Sequence, residues 1–242
     1  MNVMGIDVGG SGIKGAIVDT KTGQLITERY RLDTPQPAHP DVVAETVKKV
    51  VDHIGWKGPI GCGFPAVVRG GFVKTASNIS KKWIDVSAAK LFSEITGCSV
   101  SVMNDADVAG IAEMKFGAGK GVNGSVVMIT IGAGLGSALI RDGSLFPNTE
   151  CGHFNMKGDI AERYAADSVR KKEDLSWKKW GKRFNQYLEE VELLLTPDLI
   201  ILGGGASKKF DRFEDEIEIE TKVVAAELLN EAGIVGAALS AL

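Results

Sequence analysis

Gly5-Ile6-Asp7-Val8-Gly9-Gly10-Ser11-Gly12-Ile13-Lys14-Gly15 joins one apolar run, residues 2–6, to a second, residues 13–18, through a glycine-rich turn. Glycine permits positive φ angles and close backbone approach, both of which a tight turn around an anion requires. In outline this is a phosphate cradle. Glycine amides can point inward, the Ser11 hydroxyl and Lys14 ammonium can reach phosphoryl oxygens, and Asp7 at the strand end is placed to hold a hydrated Mg²⁺. An ordinary glycine hairpin accounts for the same residues. The stretch is neither a Walker A loop nor a dinucleotide fingerprint, because Lys14 opens a strand rather than a helix and no G-x-x-x-x-G-K-[ST] spacing exists.

Downstream, residues 25–32 form a third expected strand after the turn Thr20-Lys21-Thr22-Gly23, so the first sheet begins as an antiparallel meander. A loop with Pro35, Pro37 and Pro40 leads into a helix over residues 41–54, whose Val42, Val43, Val47, Val50, Val51 and Ile54 give an apolar stripe at helical spacing. The buried run 58–64 then adds a parallel strand. After a short strand at 71–75, Ala76-Ser77-Asn78 and Lys81-Lys82-Trp83 form a polar segment with one large aromatic, able to face a ligand. A helix over 86–96 and a strand over 99–103 end abruptly in Asn104-Asp105. The helical pattern resumes at Ala106. Asp105 thus sits near a helix N-terminus, where the dipole favours a carboxylate and where a plain N-cap is the simplest reading.

The chain then repeats itself. Ile6-Asp7-Val8-Gly9-Gly10 aligns with Ile129-Thr130-Ile131-Gly132-Ala133, and Ala16-Ile17-Val18 with Ala138-Leu139-Ile140, each pair closed by a glycine turn at Gly23 or Gly143. Two strand, glycine loop, strand units imply two similar lobes facing each other, each with a phosphate loop and with a cleft between them. Beyond the compact polar stretch Asn148-Thr149-Glu150-Cys151-Gly152-His153, the pattern predicts helices over 159–169 and 175–195. A buried strand over 199–202, a third glycine loop Gly203-Gly204-Gly205-Ala206-Ser207, and helical segments over 225–230 and 233–242 follow. The Trp177, Trp180 and Phe184 stripe reads as core.

Bulk properties bound the answer. A chain of 242 residues, 44% hydrophobic and 24% charged, is an ordinary globular composition long enough for one large domain or two lobes. A net charge of -3 argues against a general nucleic-acid binder. Cys62, Cys98 and Cys151 are scattered, with no C-x-x-C pair, so neither a disulfide framework nor a zinc knuckle is indicated. No run approaches the roughly 20 apolar residues of a membrane span, and no basic leader opens the chain, so a cytoplasmic location with no membrane partner is expected.

Three glycine loops after apolar strands, with an Asn-Asp pair between the first two, resemble the sugar kinases of the actin and hexokinase superfamily, specifically the ROK family. Asp7-Val8-Gly9-Gly10-Ser11-Gly12-Ile13-Lys14 is similar to its first phosphate motif and Thr130-Ile131-Gly132-Ala133-Gly134-Leu135-Gly136 to its second. Leu202-Gly203-Gly204-Gly205 is similar to its adenosine motif. Within the family, Thr34-Pro35-Gln36-Pro37 and Pro147-Asn148-Thr149-Glu150 look closest to bacterial polyphosphate glucokinases. The resemblance implies a two-lobed α/β ribonuclease H-like fold of the actin/hexokinase type with an interlobe cleft. The lobes would be residues 1–105 and 106–224, with residues 225–242 packing back on the first.

The resemblance also implies a reaction: transfer of a terminal phosphoryl group from polyphosphate or ATP to the 6-hydroxyl of glucose, with Mg²⁺ as cofactor. Asp105 would be the general base. Asn78, Asn104, Asp105, Glu150, His153 and Glu162 would hold the sugar. Asp7, Gly9, Gly10, Ser11, Gly12, Lys14, Thr130, Gly132, Ala133, Gly134, Gly203, Gly204 and Gly205 would hold phosphate or nucleotide, and Asp7 the metal, through water. For Glu150 and His153 by themselves, a satisfied structural pair is the simpler reading. Mannose as acceptor stays open, and a homodimer is implied.

Some residues depart from the family pattern. Met156-Lys157-Gly158-Asp159 replaces the cysteine loop of a zinc site, so no zinc is expected and His153 is not a zinc ligand. Ala133 stands where the second phosphate motif usually has threonine, and Ala66 where glycine is usual after Phe64-Pro65. Seven basic residues between Arg170 and Arg183 (Arg170, Lys171, Lys172, Lys178, Lys179, Lys182, Arg183) face only Glu173 and Asp174. They form either a polyphosphate strip or a solvated helix face. The rival function is a non-catalytic sugar sensor, since ROK relatives include repressors. Those carry a helix-turn-helix ahead of this region, whereas a strand starts here at Asn2, which favours the enzyme.

Overall fold

The computed structural model describes residues Met1–Leu242. Two compact units make up the chain, Met1–Ala112 with Glu231–Leu242, and Glu113–Asn230.

The first unit opens with β1 (Asn2–Val8), β2 (Gly12–Asp19) and β3 (Tyr30–Asp33), an antiparallel meander. The third strand is shorter than expected because the Thr27 hydroxyl takes the Ile17 amide at 3.0 Å, occupying a donor that a longer β3 would need. Helix α1 (Pro40–Ile54) starts with proline in its first turn and stops at Gly55 in the left-handed region, φ 71°. Its buried valines pack on the sheet beside Phe64, Trp83 and Phe92. Next come β4 (Ile60–Phe64), the two-residue strands β5 (Val68–Arg69) and β6 (Phe72–Val73), α2 (Ala88–Thr96) and β7 (Val100–Asn104). Both β4 and β7 run parallel to β1, giving the order β3-β2-β1-β4-β7. Helix α3 (Asp105–Phe116) follows without a loop, and the division between units runs through it after Ala112.

The second unit repeats this plan. β8 (Ser125–Ile131), β9 (Leu135–Arg141) and β10 (Ser144–Phe146) form another antiparallel meander. The hairpin of β11 (Asn155–Met156) and β12 (Asp159–Ile160) turns through Lys157 and Gly158, both with positive φ. That turn, and the extended Ala166 (ψ 156°), divide what the pattern reads as one helix over 159–169 into α4 (Glu162–Ala165) and α5 (Asp167–Lys172). The amphipathic α6 (Trp177–Leu195), capped by the Ser176 hydroxyl, lays Trp180, Phe184, Tyr187 and Leu188 into the core. The fully buried β13 (Leu199–Gly203) runs parallel to β8, then α7 (Gly204–Ser207) and β14 (Val223–Ala225) complete the order β10-β9-β8-β13-β14.

Residues 225–230 are not α-helical: Ala225 ends β14, the Ala226 amide carries on its pairing by donating to the Leu202 carbonyl at 2.8 Å, and a single 3₁₀ turn, Leu229–Glu231, follows. The fully buried Glu113 carboxylate accepts the Glu227 and Leu228 amides at 3.1 and 2.8 Å and fixes the segment between them. Only α8 (Ala232–Ser240) is α-helical at this end, and it packs on β1 and β4 of the first unit. No helix is long and apolar enough to cross a membrane.

Candidate functional site

In the first unit the turn after β1 closes with the Gly9 amide donating to the Gly12 carbonyl at 3.0 Å. None of its glycines has a positive φ, contrary to the expectation from sequence. What they supply is room. A Cβ on Gly12 would fall 2.5 Å from Nε of Arg31, which lies across the turn and donates from Nη2 to the Ser11 carbonyl at 2.8 Å. The Thr34 hydroxyl donates to the Gly9 carbonyl at 2.5 Å, while nothing crowds Gly10. Asp7 and Lys14 are register partners on β1 and β2, and Nζ meets Oδ2 at 3.1 Å. The Lys14 ammonium is thus engaged by Asp7.

Asn78 lines a cavity of about 430 Å³ whose other walls include Gly9, Gly10, Thr34 and Gln36, so an expected sugar ligand and the first phosphate loop share one concavity. Trp83 does not face it. That ring is fully buried, edge-on to Phe64 at 4.7 Å, with its indole N–H on the Ala38 carbonyl.

Asn104 and Asp105 divide two tasks at the β7 to α3 junction. Asn104 Oδ1 accepts the Ala106 and Asp107 amides at 2.9 and 3.1 Å, which makes Asn104, not Asp105, the N-cap of α3. Its Nδ2 donates to the Ala66 carbonyl at 3.2 Å, leaving a second N–H on that nitrogen for a ligand. Asp105 Oδ1 accepts from the Ala106 amide, and the half-buried carboxylate opens the helix. Ala66 has no positive φ, so glycine is not required there.

In the second unit, Leu135 at the start of β9 is the pivot. Its amide donates to Glu162 Oε2 at 3.2 Å, and its carbonyl oxygen lies so close to Gly152 that a Cβ there would come within 2.1 Å. The single-turn 3₁₀ helix Cys151–His153 is thereby pressed onto β9. The Ser137 hydroxyl adds to this by accepting the Cys151 amide and donating to the Thr149 carbonyl, both at 2.9 Å. Glu150 and His153 flank the turn, with Nδ1 and Oε2 3.0 Å apart and each side chain about one-third exposed, at 31% and 33%. Burial raises the Glu150 carboxyl above its ordinary value. His153 pulls it down, and the Glu162 charge pushes it up again.

The second phosphate loop immediately precedes Leu135. The Gly132 amide donates to the Gly134 carbonyl at 3.0 Å, and α5 moors the loop: the Ser168 amide reaches the Gly132 carbonyl at 3.2 Å and its hydroxyl the Ala133 carbonyl at 2.6 Å. Thr130, on β8, is the register partner of both Gly136 and Gly203. The third glycine stretch is a strand-to-helix junction rather than a loop: Gly203 ends β13, Gly204 and Gly205 open α7, and Gly204 bridges to Ile131 with φ 78°. A Cβ on Gly204 would fall 2.5 Å from the Ile131 carbonyl oxygen. The second and third glycine stretches therefore leave adjacent parallel strands side by side.

Much of the basic strip is neutralised internally. Arg170 and Lys171 pair with Asp167 at 2.7 Å, Arg183 with Glu173 at 2.8 Å, and Lys178 and Lys182 approach Glu216 at 3.7 and 4.0 Å. Although burial works against it, the bonds from Lys171 and Arg170 hold the Asp167 carboxyl below its usual range. Lys172 and Lys179 make no ion pair. A cavity of about 590 Å³ beside α6, lined by Lys182, Asn185, Glu189 and Glu218, is larger than the one at Asn78 but contains none of the expected site residues. No group of three or more His, Cys, Asp or Glu side chains is arranged to hold a metal ion, and all three cysteines are free thiols.

Sequence reasoning missed Ser168, the Leu135 backbone and the reason for Gly152. Gly152 lay inside a motif already singled out. Ser168 left no local signal, because its partner is 35 positions away.

The chain is similar over its whole length to known proteins. It is 50% identical over 239 residues to a polyphosphate glucokinase of Mycobacterium tuberculosis, a match covering 98% of this chain and 90% of the relative. It is 48% identical to the polyphosphate glucokinase of Mycobacterium leprae, over 98% of this chain and 73% of that one. The crystal structure of inorganic polyphosphate/ATP-glucomannokinase from Arthrobacter sp. strain KM superposes with a TM-score of 0.96 at 44% identity, covering 99% of this chain and 97% of that one. A ROK family glucokinase from Streptomyces griseus, solved with glucose and AMPPNP, shares the fold at 21% identity and a TM-score of 0.85, over 100% and 99% of the two chains. The fold is that of the actin/hexokinase-type sugar kinases, with its two meander-plus-parallel sheets. The ROK family profile matches residues 3–167, and on that match and the mycobacterial identities the chain belongs to the ROK family.

Proposed function

We propose that the chain is a sugar kinase that transfers the terminal phosphoryl group of inorganic polyphosphate, or of ATP, to the 6-hydroxyl of glucose. The observation that carries this is the pairing of Asn104 and Asp105: the first caps α3, and the second presents a carboxylate at the helix start. This occurs in a chain half identical, over nearly its full length, to polyphosphate glucokinases.

Asp105 takes the proton of the 6-hydroxyl as that oxygen bonds to phosphorus and the bridging phosphoanhydride bond breaks, leaving a polyphosphate one unit shorter or ADP. Asn104 Nδ2, Asn78, Glu150, His153 and Glu162 hydrogen-bond the remaining sugar hydroxyls. Amides of the 9–12 and 132–134 turns, with Ser11, cradle the donor phosphates, and the junction 203–205 serves a nucleotide when ATP is the donor. A single carboxylate, Asp7, at the end of β1 fits a hydrated Mg²⁺ whose other ligands are water and phosphate oxygens. When bound, that ion neutralises charge on the transferred group. Zinc has no part in this reading, since Met156-Lys157-Gly158-Asp159 stands where the cysteine ligands of a zinc site would be. Mannose presents the same 6-hydroxyl and is a second acceptor. A cytoplasmic homodimer completes the proposal.

The test compares glucose 6-phosphate formation from polyphosphate and from ATP, with Asp105→Asn as control. Absence of product from both donors with several hexoses overturns the kinase reading, and full activity in the variant removes Asp105 as base.

A further inference from the structure

The C-terminal helix α8 is applied to the first unit at unusually close range. A Cβ on Gly5 would lie 1.9 Å from the Ile234 carbonyl oxygen, one on Gly61 1.6 Å from that of Ala237, and one on Gly236 1.6 Å from that of Val108. At these three positions glycine lets two backbones touch, which accounts for them as packing.

Gly233 is different. Its backbone is helical and not in the left-handed region, so conformation does not call for glycine, and alanine is the better helix former. The atoms that a Cβ there would meet belong to one side chain: Asp7 Cγ at 3.0 Å, Oδ2 at 3.1 Å and Cβ at 3.4 Å. Oδ2 is also the oxygen that accepts the Lys14 ammonium at 3.1 Å. A methyl group at position 233 would press on the carboxylate that the proposed function assigns to the metal and would turn it away from its present orientation.

We infer that Gly233 is a positioning residue for Asp7: the first turn of the C-terminal helix keeps open the space in which the Asp7 carboxylate lies, and so sets its orientation toward Lys14 and a hydrated cation. This rests on the reading of Asp7 as the metal carboxylate.

The test measures binding of inorganic tripolyphosphate by calorimetry, with and without Mg²⁺, to the wild type, Gly233→Ala and Ala232→Gly. The wild type is expected to bind more tightly with Mg²⁺. Gly233→Ala is expected to lose about tenfold of that enhancement while keeping its metal-free affinity and its glucose affinity. Ala232→Gly, which loosens the same helix turn without adding an atom near Asp7, is expected to keep the enhancement. Thermal midpoints supply a readout independent of binding: Gly233→Ala should lower the midpoint in the wild type but raise it in an Asp7→Ala background, where only the gain in helix propensity remains. Unchanged enhancement in Gly233→Ala, equal loss in both helix variants, or the same midpoint shift in both backgrounds would overturn the inference. A wild type whose tripolyphosphate affinity ignores Mg²⁺ would instead overturn the role of Asp7, and the inference with it.

Discussion

Gly152 lies flat against the carbonyl oxygen of Leu135, with 2.1 Å between that oxygen and the point where a Cβ would stand. Glu150 and His153 are carried on the turn that this contact holds down, and Leu135 also bonds Glu162. One backbone residue therefore organises all three expected sugar ligands of the second unit. Gly152→Ala cannot keep the contact, because backbone rather than a flexible side chain is in the way. A stability loss of about 1–3 kcal/mol is expected from such overpacking, and the displacement of Glu150 and His153 should raise the glucose KM more than the donor KM. Chemical denaturation and a two-substrate kinetic matrix check both, and equal changes in the two KM values would contradict the arrangement.

Asn104 and Asp105, although adjacent, should respond differently to substitution. Asn104→Ala removes the acceptor of two helix amides and the donor to Ala66, so a stability cost of about 1–2 kcal/mol is expected. Asp105→Asn keeps an acceptor for Ala106 and should unfold like the wild type while kcat falls by about 10² to 10⁴. Thermal melts beside initial rates separate the two, and a stable Asn104→Ala protein would contradict the capping assignment.

Glu150 links stability to pH. Burial raises its carboxyl above 4.5, so the folded state binds its proton more tightly than the unfolded chain does. Stability therefore falls as pH rises from about 4.5 through the folded value. Glu150→Gln lacks this ionisation and should lose less stability across that window. Denaturation at several pH values checks the sign. The acid limb of kcat/KM for glucose should also sit above 4.5 and change in the variant.

The basic strip is expected to contribute little to donor binding. Lys178 and Lys182 already share Glu216, and Lys179 is an exposed cation worth little by itself. Replacing Lys178, Lys179 and Lys182 with glutamate should change the polyphosphate KM by less than about threefold, because exposed charges contribute little. A tenfold rise that grows with chain length would make the strip the donor groove after all.

Much of this was legible in the sequence because it is local. Apolar runs bounded by glycine announced β1, β2, β8 and β9, and the echo of residues 6–10 at 129–133 pointed to two similar units, whose sheets turn out to share one strand order. The three glycine stretches around Asp7, Thr130 to Gly136 and Gly203 to Gly205, with the Asn104-Asp105 pair, carried the family resemblance. Other features depended on partners far along the chain. The apparent helix at 225–230 does not form because its first residues pair with β13, about twenty positions back, and Glu113, more than a hundred positions away, holds the two amides that follow. Thr27 shortens β3 in the same manner. Tertiary structure also decided which of two neighbours caps α3, why the first loop needs glycine for room rather than for φ, and that Gly233 meets Asp7. The physical reason is that propensity and periodicity report on a residue's own turn of chain, whereas hydrogen-bond partners and van der Waals space are fixed only when distant segments pack together.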